Sequence, residues 1–303
     1  MKAIGKKSID FTNSIVNYIV LTVIIILIAF AGYALWDSNQ IHYAADKSQY
    51  AVYKPTIENQ GKSFLELQAL NAEVFAWLTV YGTNIDYPVT QGPDNMKYVN
   101  TNAEGLYSLS VAIFLDYTNS KDFSDFNSIL YGHHMAKRVM FGEIGDFSDR
   151  NMFDTHRYGN LYFDDKDHGI EFFAFLHVDA YDNSVFGANV KEEARQGYLD
   201  NLLEKAIHIR DIEISTQDRI ILLSTCSSDS TNGRDILVGR ITDKTYENLS
   251  LNTEKVIEKE KSDIENLYCL VEEIPMVMLL TMILILVLLA LLIIRMPINK
   301  SNK

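Results

Sequence analysis

Two uncharged apolar runs bracket this chain and decide most of what it can become. From Ile15 to Trp36 the sequence reads IVNYIVLTVIIILIAFAGYALW, and from Met276 to Ile294 it reads MVMLLTMILILVLLALLII. A helix needs about 20 apolar residues to cross a hydrocarbon layer roughly 30 Å thick, so both runs read as transmembrane helices. The first run exceeds the apolar core of an ordinary signal peptide. Its end, Ala34-Leu35-Trp36, also offers no small-x-small cleavage site, so an anchor is expected. Lys2, Lys6 and Lys7 precede the first run, and Arg295, Lys300 and Lys303 follow the second. Basic flanks stay on the cytoplasmic side, which puts both termini inside and the middle of the chain outside. The expected organisation is a cytoplasmic segment over 1–14, a span over 15–36, an extracellular domain over 37–275, a second span over 276–294 and a cytoplasmic tail over 295–303. Little in either run beyond Asn17, Thr22 and Thr281 is polar, so both read as anchors rather than as a transport path.

Charge and cysteine usage narrow the function. The 303 residues hold 40 acidic and 27 basic side chains, a net charge of -13, and the ends are basic, so the outer domain is strongly acidic. That balance argues against binding a phosphate backbone, and no nucleic-acid partner is expected. Two cysteines make neither a disulfide framework nor a four-cysteine zinc site.

Inside the outer domain no repeat or low-complexity linker interrupts the pattern, so one domain is expected. The segment from Ile57 to Leu78 has helical spacing in Phe64, Leu67, Leu70, Val74 and Trp77, loosely broken around Asn71. Beyond it come short apolar runs bounded by turn residues: TNIDYPVTQ, SVAIFLDY, NSILYGHH, GIEFFAFLHVDAY, DRIILLSTC and RDILVGRI. Between the fourth and fifth, the stretch from Val190 to Asp211 predicts an amphipathic helix with Leu199, Leu202, Leu203, Ala206 and Ile207 on its apolar stripe. Six or more strands with few helices suggest a closed or nearly closed β-barrel.

The chemistry centres on Cys226, which ends the apolar run RIILLST and opens a polar loop, Ser227 to Gly233. A thiol there is held by a buried strand and open to a cleft. Two other readings of Cys226 are a small buried hydrophobe and a disulfide with Cys269, the latter disfavoured because Cys269 lies about seven residues from the second span. His133 and His134 leave the strand-like NSILYG just after Gly132, which permits close backbone approach. Adjacent extended residues point to opposite faces, so one histidine can meet a cleft while the other packs or faces water. As a metal pair they lack a third ligand at recognisable spacing. An imidazole beside a thiol can hold its proton, and a cationic group would steady a developing oxyanion. Arg234 and Arg240 both qualify by alternation, Arg240 lying about 20 Å further along the strand.

LLSTC, Leu222 to Cys226, resembles the Leu-x-Thr-Cys signature of sortases, and the following Arg-x-Ile-x-Val resembles the segment that carries the family's arginine. NIDYPVTQGPDNMKYV, IFLDYTN and NSILYGHHMAKRVMFGEI are similar to class B sortases in particular, as is a long helix before the cysteine strand. The resemblance covers about residues 66–245 and departs from the family at Val111-Ala112, where class B sequences often have glycine. It implies an eight-stranded sortase barrel and a cysteine transpeptidase of Gram-positive cells, of the peptide-cleaving hydrolase class, working without metal or organic cofactor. Carried over, the nucleophile is Cys226, the histidine His133 and the arginine Arg234, with Thr225 matching the signature threonine. Ser224, Thr225, Tyr181 and Ser184 are the expected substrate-groove residues. The implied substrates are secreted proteins with a C-terminal sorting motif, cleaved after threonine through a thioester. The acceptor amine belongs to cell-wall peptide or to a pilin lysine, the second meaning pilus assembly. A binding or sensory ectodomain that keeps the barrel without the reaction is the alternative. A papain-like peptidase is not, because its cysteine precedes its histidine at a helix start.

Overall fold

The computed structural model describes residues 2–56, 62–227 and 232–248. The expected second span over 276–294, and Cys269, lie outside the described residues. Two units are distinguished, one containing the chain up to Gln40 and the other running from Ile41. Helix α1, Lys2–Ala45, begins before the expected 15–36 span and continues nine residues past it. From Ile15 it is long and apolar enough to cross a membrane.

Beyond it the chain forms α2 (Lys62–Leu70), β1 (Val74–Val80), β2 (Asp86–Thr90), β3 (Ile113–Leu115), β4 (Asn127–Tyr131), α3 (Arg150–Thr155), β5 (Tyr158–Phe163), β6 (Lys166–Asp179), α4 (Arg195–Lys205), β7 (Ala206–Ile209), β8 (Arg219–Cys226) and β9 (Gly233–Thr242). The strands hydrogen-bond in the order β5-β1-β2-β3-β4-β8-β9-β6-β7, and β5 also pairs with β6. That last pairing closes eight strands into a barrel, with β7 as a short ninth strand on the free stretch of β6. Closure removes the exposed edges that an open sheet would leave.

The helix expected from Ile57 to Leu78 is two elements. Asn71 ends α2: its N–H donates to the Leu67 carbonyl at 2.9 Å, its Oδ1 accepts from Glu73 N at 3.1 Å, and its Nδ2 donates to the Tyr98 hydroxyl at 2.9 Å. An asparagine side chain that satisfies backbone groups locally turns the chain out of a helix. The next stretch, VFAWLTV, is rich in the β-branched and aromatic residues that favour strands and pairs with both β2 and β5. Likewise the helix expected to reach Asp211 stops at Lys205, and Ala206–Ile209 lines the free stretch of β6. Strand β5 is not among the expected strands. Its Gly159, Leu161 and Phe163 are buried in strict alternation, and Asp164 and Asp165 both take positive φ to make the tight turn into β6.

Strands β8 and β9 are buried on both faces. Ile221, Leu223 and Leu237 pack into the larger core cluster with Phe141, Phe172 and Phe175; Ile220, Leu222, Ile236 and Val238 pack against Tyr198, Leu199 and Leu202 of α4 on the other side. Such a strand reads as a continuous apolar run rather than an alternating one. At the far end of β9 Arg240 is committed to structure: its Nη2 donates to Glu171 at 2.7 Å and its Nη1 to the Glu213 carbonyl at 2.7 Å. Arg157 donates to the same Glu171 carboxylate at 2.7 Å.

Glu171→Ala removes the buried carboxylate shared by two guanidinium groups, leaving Arg240 only Asp218 at 3.8 Å, and is expected to cost about 3 kcal/mol at pH 7. Burial alone would raise the Glu171 pKa, but the hydrogen bonds from Arg157 and Arg240 hold it below its ordinary value. The folded carboxyl therefore stays charged to lower pH than the unfolded one. The contribution is complete above the unfolded titration near 4.5 and fades as pH falls through the folded value. Denaturant unfolding of wild type and variant should accordingly converge in acid; a constant gap would contradict this.

Candidate active site

Strand register brings the three expected side chains together. In the antiparallel β8–β9 ladder Cys226 is directly opposite Arg234. Side chains of such partners share one face about 5 Å apart. On the other side β8 runs parallel to β4, with Tyr131 opposite Ser224 and Gly132 N donating to the Ser224 carbonyl at 3.1 Å. His133 is two residues past Tyr131 as Cys226 is two past Ser224. Neighbouring strands lie about 4.8 Å apart, so the same register carries imidazole and thiol to one side of the sheet end. Cys226 is an exposed free thiol, although Thr225 just before it is buried.

The loop carrying His133 is pinned at several points. A Cβ on Gly132 would lie 2.6 Å from ring carbons of Phe141, and Phe141 N donates back to the His133 carbonyl at 3.0 Å. Met140 N donates to the buried Tyr87 hydroxyl at 3.0 Å, and that hydroxyl donates to the Ala45 carbonyl at 3.0 Å. Glu143, 3% exposed, accepts from Asn84 N. Burial lowers the His133 pKa below its ordinary value, so its ring is neutral at neutral pH. His134 points elsewhere and is exposed, bridging to Met140. No group of three metal-ligating side chains occurs among the described residues.

Cys226, His133 and Arg234 line one cleft of about 300 Å³. Arg234 is half-buried and donates through Nη1 to the Gly233 carbonyl at 2.9 Å; among the described residues no carboxylate pairs with it. It thus presents an uncompensated cation to the cleft, whereas Arg240 does not reach it. Ser224 and Thr225, 1% and 2% exposed, also line the cleft, and their buried hydroxyls have no hydrogen-bond partner. A buried hydroxyl without a partner is costly, and a ligand arriving in the cleft would relieve that cost. Tyr181 and Ser184 do not line the cleft. Tyr181 is exposed, and Ser184 is held by Asp182 at 2.5 Å and by Asn201. From the same connection Ala180 and Phe186 reach the cleft instead.

The remaining walls were not legible as site residues. Val99, Val111, Phe114 and Tyr131 supply apolar surface, and Asn95 a polar group. Asp116 organises them: its Oδ2 accepts from Asn95 Nδ2 at 2.8 Å and from the Tyr131 hydroxyl at 3.2 Å, and its Oδ1 accepts from Thr118 Oγ1 at 2.6 Å. Burial, with Asp116 alongside, pushes the Tyr131 phenol pKa up, so it remains a neutral donor. A signal existed only for Tyr131, the last residue of β4 and two residues before His133. The other five histidines serve packing or local bonding where described; His177, for example, bonds Asp235 at 2.8 Å.

A closed barrel that presents thiol, imidazole and guanidinium at the ends of three adjacent strands has the make-up of a cysteine transpeptidase. No protein-family model matches the chain. Sortase B of Listeria monocytogenes is 30% identical over 184 residues, which is 59% of this chain and 74% of that protein. Among solved structures, sortase B from the type II pilus of Streptococcus pneumoniae is 49% identical with a TM-score of 0.52, covering 59% of this chain and 98% of its own. A class B sortase of Streptococcus pyogenes involved in pilus biogenesis is 38% identical with a TM-score of 0.55, covering 60% and 99%. The chain belongs to the class B sortases, and the eight-stranded barrel expected from the resemblance is present.

Two measurements probe the geometry. In an NMR titration the His133 ring should protonate with a midpoint below 6.5, because burial disfavours its cation; a midpoint above that value would contradict the burial. Gly132→Ala should destabilise by about 1–3 kcal/mol through the clash with Phe141 and lower turnover as the loop shifts, seen by parallel thermal unfolding and peptide-cleavage assays.

Proposed function

We propose that this class B sortase is a membrane-anchored transpeptidase in which Cys226 is the nucleophile, His133 the proton carrier and Arg234 the oxyanion donor. The observation that carries this reading is the convergence of the three side chains in one cleft, with Cys226 and Arg234 as cross-strand partners. The Cys226 sulfur attacks the carbonyl of a threonine in a sorting motif, its proton passing to His133. Arg234 stabilises the negative charge on the carbonyl oxygen of the tetrahedral intermediate. As the intermediate collapses, the amide C–N bond breaks, His133 gives its proton to the departing amine, and a thioester remains. An acceptor amine then attacks the thioester, His133 takes its excess proton, an amide forms and the Cys226 thiol is restored. The unpartnered hydroxyls of Ser224 and Thr225 hydrogen-bond the motif in the cleft.

The acceptor is the lysine of a pilin. Supporting this over cell-wall peptide is the similarity, at 49% and 38% identity, to two sortases of pilus systems. Helix α1 anchors the enzyme, and the run from 276 to 294 forms the second span. Both termini are cytoplasmic and the barrel is outside, where substrates held by their own apolar tails meet it at raised effective concentration.

Cys226→Ala should abolish turnover while moving the unfolding midpoint little, since the side chain is exposed. Arg234→Lys should lose most activity because a lysine keeps the charge but not the planar fork, whereas Arg240→Lys should lose stability before activity. If Arg240→Lys alone abolished turnover, the oxyanion assignment would be wrong. Mass spectrometry of products made with a pilin or a wall-type amine identifies the acceptor; incorporation of the wall amine alone would overturn the pilin assignment.

A further inference from the structure

Eight non-glycine residues adopt positive φ among the described residues, and one of them, Val111 at φ 63°, is β-branched. Left-handed backbone is tolerated by glycine and occasionally by asparagine or aspartate, but a β-branched side chain there is strained. Val111 is also buried, at 2% exposure, and lines the cleft two residues before the start of β3. A glycine would meet the same backbone requirement without strain. What glycine cannot supply is volume, and the volume of the Val111 isopropyl group stands in the cleft wall.

The neighbouring walls are stiff. Phe114 packs on Tyr131 with ring centroids 5.4 Å apart and on Tyr98 at 6.4 Å, while the Tyr131 hydroxyl is held by Asp116. A substrate side chain that meets Val111 therefore cannot make room by pushing the aromatics aside. Strain retained at a functional site is the expected mark of a residue kept for its side chain rather than for stability.

We propose that Val111 is a specificity-determining residue: its side chain limits one position of the bound sorting motif to a short side chain. The inference rests on the reading of this cleft as the motif site and adds a size filter to it. A single methylene in an apolar pocket shifts discrimination by about 10–200-fold, so removing the isopropyl group has a measurable effect.

The test uses the full chain in detergent and peptides in which each position preceding the motif threonine is changed in turn from alanine to leucine. At one position the wild type favours alanine, and in both Val111→Ala and Val111→Gly the leucine-to-alanine ratio of kcat/KM rises at least about tenfold. Turnover of the peptides with that ratio unmoved in both variants overturns the size filter and leaves the transpeptidase reading intact. Failure of the wild type to process any peptide defeats that reading, and the filter with it. Thermal unfolding supplies a readout independent of turnover. Val111→Gly should unfold at a higher temperature than Val111→Ala, the reverse of the usual order for these two residues, because only glycine relieves the strained φ. The usual order would remove the strain premise and sink the proposal.

Discussion

The position of β8 between β4 and β9 governs the chemistry. Its parallel ladder with β4 and antiparallel ladder with β9 are set by backbone hydrogen bonds, and a slip of one residue in either would turn a side chain to the other face. With the register as found, Cys226 lies opposite Arg234 across one ladder, and the chain leaving the end of the other carries His133 to the same cleft. The register is well specified because β8 is buried on both faces: Ile221 and Leu223 fill one core and Ile220 and Leu222 the other, so a slip would exchange two differently shaped sets of contacts. The geometry of the cleft therefore depends on apolar packing some distance from it.

At its tip the sheet carries polar groups that the fold leaves unused. Arg234 has no carboxylate partner among the described residues, and the Ser224 and Thr225 hydroxyls are buried without one. Away from the cleft, the buried Glu171 carboxylate is paired with both Arg157 and Arg240. Buried hydroxyls without a partner carry a cost in stability, and at Ser224 and Thr225 that cost falls on residues of the cleft wall.

The sequence was most informative where local pattern and tertiary role agree. The apolar run to Cys226 reads as a buried strand and is one, and the residues named by the resemblance, His133 and Arg234, line the same cleft as Cys226. Periodicity misled where two signals overlap. Val74 and Trp77 fit a helical stripe begun by Phe64 and Leu67, yet Asn71 ends the helix and β-branched residues take over as β1. Ala206 and Ile207 extended the apolar stripe of α4, but the free stretch of β6 gave that segment a ladder to join. Spacing left Arg234 and Arg240 open; in the structure Arg240 is tied to Glu171, distant in sequence, and Arg234 lines the cleft. The left-handed conformation of Val111 has no sequence signature, and Phe186 reaches the cleft only because the connection after β6 folds back over it.

The central claim is that sulfur, imidazole and guanidinium act on one carbonyl. Its most direct measurement is the intact mass of the enzyme after mixing with a sorting peptide in the absence of acceptor amine, followed by fragmentation to locate the adduct. The account predicts an added mass equal to the peptide fragment ending in threonine, bound to Cys226 and released by hydroxylamine. Turnover of that peptide with the adduct on another residue, or with no covalent intermediate under single-turnover conditions, would contradict it.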